Sequence, residues 1–128
     1  MLTFLLWLAT VLSLADTACA ESSVVFHDGR AVMEVVMNRA ARWSQPPLFV
    51  LHTRYQFAHA CPPSRWRARH IRMAWRALRR KPRALPAWWR SNIVMFCAGR
   101  VRHKWADKPY LEVGSIDLGI DRHYYFQF

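Results

Sequence analysis

Apolar positions change their spacing along the chain, and the changes separate helical from extended parts. Residues 1–15, MLTFLLWLATVLSLA, carry no charged side chain, and neither Gly nor Pro occurs before residue 20. Unbroken and apolar nearly all round, residues 2–20 predict a helix. Asp28 and Gly29 read as a turn and helix cap. Residues 31–40, AVMEVVMNRA, are apolar except at Glu34, Asn38 and Arg39, which predicts a second, buried helix. Residues 43–59 read as a loop, with Pro46 and Pro47 as breakers and a short apolar run at 48–51.

The most regular segment follows. Arg65, Arg69, Arg72, Arg76, Arg79 and Arg83 recur at steps of 4, 3, 4, 3 and 4, which is one ridge of a helix. Ala68, Ile71, Trp75 and Leu78 form a neighbouring apolar stripe, and Pro82 is expected to end the helix. Beyond it the pattern turns extended. Residues 92–97 predict a strand, Ala98-Gly99 a turn, and 100–105 the returning strand of a hairpin. Residues 109–113 and 122–128 are further short strands, with the aromatic end HYYFQF joining the same small sheet. Helices first and strands later predict one α+β domain over residues 1–128, N-terminal helices followed by a short antiparallel sheet.

Charge adds an expected neighbour. The net charge is +11, and between Met33 and Lys108 the only acids are Glu34 and Asp107, against sixteen Arg and Lys. Such a surface attracts anions: nucleic acid, anionic lipid or a bacterial envelope polymer. With 53% hydrophobic residues and seven tryptophans, a disordered chain is excluded. Three cysteines, Cys19, Cys61 and Cys97, cannot all pair within one chain. In an oxidising compartment Cys61 with Cys97 is the expected bridge, enclosing the basic segment; three reduced thiols are the alternative. No CxxC and no Cys/His pair at ligand spacing occurs, so no metal is expected.

The first fifteen residues also look like a secretory signal, with Ala18-Cys19-Ala20 or Ser13-Leu14-Ala15 as cleavage candidates. No Lys or Arg precedes them, and the run is shorter than the roughly 20 residues that span a bilayer. Cleavage after Ala20 would leave Glu21 as the new N-terminus. An uncleaved first helix is therefore the expectation, with a signal anchor or a removed signal as the alternatives.

Several short motifs occur in a telling order. Ala20-Glu21-Ser22 follows the apolar helix. After a short loop come Arg30-Ala-Val-Met-Glu-Val-Val-Met-Asn-Arg39-Ala40, then Tyr55-Gln56-Phe57-Ala58, Ile93-Val94-Met95-Phe96, Trp105 and His123-Tyr124-Tyr125. Together, over roughly residues 12–126, they resemble the cell wall hydrolase family of the spore cortex-lytic enzyme type, whose domains also occur in phages. That family commonly shows Ala-Glu-Ala, a Gly-containing turn, a Val-Ala-x-Val-Val-Leu-Asn-Arg-Val-like helix, a Gln-Phe segment and a closing His-aromatic motif. Two departures stand out. The family's Glu-Ala-Arg-Gly-Glu is here Glu21-Ser22-Ser23-Val24-Val25, and residues 115–121 stretch the closing motif.

The resemblance implies a small lysozyme-like domain, needing no cofactor, that cleaves the bond between N-acetylmuramic acid and N-acetylglucosamine in peptidoglycan. Cleavage would be by hydrolysis or by lytic transglycosylation. Glu21 would be the acid and then the base. Tyr55, Gln56, Phe57, Trp105 and His123 would contact the glycan strand. Glu34 is expected at the surface, since a single acid suffices where the sugar's own hydroxyl attacks. The arginine ridge would meet anionic envelope polymers or a membrane surface. Such a protein would be exported or envelope-associated, or held in the host cytoplasm before phage lysis. The rivals are a basic nucleic-acid-binding module, against which the apolar start argues, and a relative that binds wall without cutting it.

Overall fold

An uninterrupted apolar sequence makes a single helix of the N-terminus, α1 (Leu2–Ser22), and its two halves live in different surroundings. Val11, Leu14, Ala15, Ala18 and Ser22 fall three and four residues apart, so they share one face, and all are buried. The first turns of α1 are exposed. In the computed structural model, residues 2–22, 25–53, 57–58, 61, 66–79, 93–98, 111–119 and 122–127 are described. Among them α1 alone is long and apolar enough to cross a membrane by length and composition, yet 39% of its most apolar stretch is buried within the fold.

Helix α2 (Phe26–Arg42) is the centre of the core. Ala31, Val32, Met33, Val35, Val36 and Ala40 are all buried, because α1, the short helix α3 (Pro47–Leu51), α4 (Arg67–Leu78) and strand β1 (Ile93–Ala98) pack around it. Asn38 on α2 donates its amide to the Ile93 carbonyl at 2.9 Å, which pins the start of β1. Asp28 and Gly29 do not cap this helix. Val25 takes the cap position without a side-chain hydrogen bond, and Asp28 turns inward. Gly29 serves close approach instead: a Cβ there would lie 3.4 Å from the Met73 side chain and 3.6 Å from Ala18.

Two further expectations change. The apolar run at 48–51 belongs to α3, where Pro47 presets the first helical turn and Val50 and Leu51 are buried. The arginine helix runs only over Arg67–Leu78, ending well short of Pro82; Arg65 and Arg83 lie outside the described residues. Its buried face is also rotated. His70, Ala74 and Ala77 are buried, whereas Ala68 and Trp75 are exposed. Small alanines let α4 close on α1 and α2, while Trp75 is too large for that seam and lies edge-on against Trp7 with ring centroids 4.3 Å apart.

Strands β1, β2 (Leu111–Asp117) and β3 (Arg122–Gln127) form an antiparallel sheet in the order β1-β3-β2. The fold is therefore α+β, among the described residues four helices followed by a small sheet. The aromatic C-terminal strand is its middle, pairing Phe96 with Tyr125 on one side and Ile116 with His123 on the other. The expected partner of β1 at residues 100–105 lies outside the described residues, and β1 pairs with β3. β2 ends in a turn: Asp117 accepts the Gly119 N–H at 2.8 Å, and Gly119 has φ +93°, which only glycine adopts freely.

The disulfide joins Cys19 to Cys61, not Cys61 to Cys97. The α1 face that carries Cys19 meets the segment that follows Phe57, and the two Cα atoms lie 5.4 Å apart, within bridging range. The bridge spans a sequence separation of 42 and contributes about 2–4 kcal/mol by restricting the unfolded chain.

The division of α1 sets a stability contrast. Leu14→Ala should cost about 2–5 kcal/mol through transfer and cavity effects, whereas Leu5→Ala should stay within about 0.5 kcal/mol. Urea unfolding of both variants measures the difference. Equal losses would mean that the exposed half of α1 packs as tightly as the buried half.

Candidate functional site

One buried carboxylate draws three elements together. Asp28, in the first turn of α2, has no solvent exposure. Its Oδ2 accepts from the Ser22 hydroxyl at the end of α1 at 2.5 Å and from His123 Nδ1 on β3 at 2.7 Å. Its Oδ1 accepts from the Tyr125 hydroxyl at 2.5 Å. Because a carboxylate can only accept, His123 Nδ1 carries a proton in this network. Leaving such a carboxylate short of one donor costs about 1–3 kcal/mol, so the network resists partial disassembly.

His123 and Tyr125 reach Asp28 together because alternate residues of a strand share a face. Phe96 on the neighbouring β1 stacks on Tyr125 with centroids 5.7 Å apart and lies 5.2 Å from the His123 ring. Phe57 extends this aromatic layer, 6.2 Å from Phe96, and the Arg39 guanidinium sits 5.0 Å from its centroid. Burial pushes the Tyr125 phenol well above its ordinary 10.0; the Asp28 carboxylate adds to this by charge and hydrogen bonding, and Glu21 adds by charge.

Glu21 stands at the rim of this network, one residue before Ser22 and only partly buried. Its Oε1 accepts the backbone N–H of Ala58 at 2.8 Å. Among the described residues Oε2 has no hydrogen-bonding partner, so a proton on this carboxyl resides on Oε2. The Cys19–Cys61 bridge straddles the contact, since Cys19 precedes Glu21 by two residues and Cys61 follows Ala58 by three. The disulfide thus keeps the donor segment beside the acid.

Of the residues singled out from sequence, Glu21, Phe57 and His123 meet around this network. His123 is 6% exposed and Phe57 9%, so both pack within the fold rather than line an open surface. Tyr55, Gln56 and Trp105 lie outside the described residues. Glu34 is held by Arg30, with 3.0 Å between Nη2 and Oε1, and Arg30 also donates to the Met73 carbonyl at 3.2 Å. Desolvation lowers the Arg30 pKa, opposed by the charge of Glu34. Asp28, Tyr125 and Ser22 were not among the expected site residues. Asp28, between His27 and Gly29, reads locally as a turn, and Ser22 and Tyr125 carry no local signal that they would meet it. Among the described residues, no group of three or more His, Cys, Asp or Glu side chains could hold a metal ion.

Compared with known protein families, curated proteins and solved structures, the chain matches none.

Two outcomes test this geometry. A raised folded-state pKa means that the Tyr125 contribution to stability is complete below pH 10.0 and fades as pH climbs through the folded value. In an alkaline titration followed by phenolate absorbance, one of the four tyrosines should ionise late, and Asp28→Asn should bring that step down towards the others. Four tyrosines ionising together would contradict the buried network. For the disulfide, Cys61→Ser should lower stability by about 2–4 kcal/mol in chemical unfolding and speed amide exchange at Ala58. An unchanged exchange rate would show that the bridge does not hold the donor to Glu21.

Proposed function

We infer that the protein is a peptidoglycan-cleaving enzyme built on a lysozyme-like helical core, with Glu21 as its acid. The observation that carries this reading is the setting of Glu21 at the buried end of α1. One carboxyl oxygen is anchored by the Ala58 N–H and the other is open, beside a rigid polar network. An acid that protonates a leaving oxygen must present its proton from a fixed place, and this anchoring supplies that. The order and spacing of the motifs from Ala20 to Tyr125 support the same reading.

Among the described residues the other carboxylates favour lytic transglycosylation over a two-carboxylate mechanism; Asp107 and Asp121 lie outside them. Among the described residues Asp16 pairs with Arg67, Glu34 with Arg30 and Asp117 with Arg122, Asp28 is buried with both oxygens occupied, and Glu112 is exposed on β2. None of these matches a nucleophile beside Glu21. In the proposed reaction Glu21 Oε2 gives its proton to the glycosidic oxygen, that bond breaks, and the muramic acid 6-hydroxyl attacks the anomeric carbon. The ionised Glu21 takes the hydroxyl proton, closing the anhydro ring and restoring the acid. His123, through Asp28, is a positioning residue. Sugar contacts fall to the segment around Phe57, with Tyr55, Gln56 and Trp105 as the proposed partners.

The Cys19–Cys61 bridge supports an oxidising, envelope-facing location, since such bonds do not persist in a reducing cytosol. It also supports retention of α1, because cutting after Ala20 would remove one half of the bridge and the core residues Val11, Leu14 and Ala18.

Mass analysis of fragments released from purified peptidoglycan tests the assignment. Wild-type protein should release fragments ending in anhydro-muramic acid, and Glu21→Gln should lower release by at least about a hundredfold while keeping its fold. Reducing ends would replace the transglycosylase reading by hydrolysis. Wall binding without release of any fragment would make the protein a non-cutting relative and end the enzyme reading.

A further inference from the structure

Two exposed features of different chemistry lie side by side on the pair formed by α1 and α4. The helices run antiparallel. Asp16 meets Arg67 at 3.1 Å towards one end, and Trp7 meets Trp75 towards the other, so the first turns of α1 lie beside the last turns of α4. There Leu2 is 72% exposed, Phe4 60%, Leu5 54% and Leu6 52%. Beside them Ile71, Arg72, Trp75 and Arg76 line an open groove, and the Arg79 guanidinium sits 5.5 Å from the Trp75 centroid.

The arginines of α4 are not equivalent. Arg67 is taken by Asp16, and Arg69 lies 3.8 Å over the Phe26 ring. Arg72 and Arg76 have no carboxylate partner among the described residues. Arg76 therefore sits in the part of α4 that adjoins the apolar tip of α1, with Arg72 one turn back along the same groove. A contiguous apolar patch in water marks a surface that something covers. A polyanion such as nucleic acid would satisfy the arginines and leave Leu2, Phe4, Leu5 and Leu6 wet. An anionic bilayer satisfies both, with acyl chains for the apolar tip, phosphates for the guanidinium groups and a headgroup layer suited to tryptophan.

We propose that this face docks on an anionic phospholipid bilayer. Leu2, Phe4, Leu5 and Leu6 enter the boundary between headgroups and acyl chains, and Arg72, Arg76 and Arg79 meet lipid phosphates. The helix lies at the surface and does not span, because its second half, from Val11 to Ser22, is part of the protein core. Docking would hold the molecule at a membrane independently of what Glu21 does.

Co-sedimentation of the full chain with vesicles tests this. Vesicles of phosphatidylcholine mixed with phosphatidylglycerol should bind at least about tenfold more tightly than phosphatidylcholine alone, and added salt should weaken the binding. Leu5→Glu with Leu6→Glu, both exposed positions, should reduce binding about tenfold or more, and so should Arg72→Gln with Arg76→Gln. Far-UV circular dichroism shows whether each variant keeps its helices. Brominated acyl chains should quench wild-type tryptophan fluorescence, a readout that needs no variant. Equal binding to neutral vesicles, insensitivity to the leucine substitutions, or absence of quenching would each overturn the proposal. So would binding to DNA or wall fragments through Arg72 and Arg76 with no binding to vesicles. The vesicles hold no glycan and Glu21→Gln should bind them like wild type, so this result stands or falls separately from the cleavage assay.

Discussion

A single buried carboxylate fixes how the helical and sheet parts of this protein meet. Asp28 takes Ser22 from the end of α1, and His123 and Tyr125 from β3, within one set of hydrogen bonds. Burying a charge is costly unless every lone pair finds a donor, so the arrangement tolerates little slack. Shifting β3 by one residue would turn both His123 and Tyr125 away and leave Asp28 stranded. The register of the central strand and the end of α1 are therefore set by the same group. Glu21, one residue from Ser22, inherits that placement.

Helix α1 carries two burdens that usually fall on separate segments. Its second half supplies Leu14, Ala15 and Ala18 to the core and Cys19 to the disulfide, while its first turns leave leucines and a phenylalanine in solvent. A sequence reader sees one uniform apolar run. Uniform hydrophobicity is blind to this division, because the division is made by partners distant in sequence: α2, α3, α4 and Cys61 cover the second half, and Trp75 reaches towards the first.

The same reason explains what else was and was not legible. The buried character of α2 followed from its composition, and the α+β order followed from the change of period. The Arg67–Leu78 helix was visible in its arginine spacing, but its buried face was not, since large apolar residues were expected inward and the alanines proved to be the seam. Asp28 beside Gly29 has the look of a turn, and nothing local says that three donors from residues 22, 123 and 125 will converge on it. Disulfide pairing was equally hidden. Three cysteines allow three pairings, and only the three-dimensional approach of Cys19 to Cys61 selects one.

The departure from the resembled motif takes on a physical meaning at Ser22. Where the family pattern has alanine after the acid, this chain has a hydroxyl that donates to Asp28 at 2.5 Å. An alanine there would leave Oδ2 with His123 as its donor and would free the last turn of α1 from α2. Ser22 therefore couples the turn that carries Glu21 to the buried carboxylate. Ala58 holds Glu21 from the opposite side, and the Cys19–Cys61 bridge holds Ala58 in reach. Restraint from both sides is what an acid of fixed aim requires, because a carboxyl that wanders by an ångström loses much of its advantage over water. The chemistry proposed for Glu21 therefore depends on this fixing of the carboxyl between Ala58 and the Ser22–Asp28 pair.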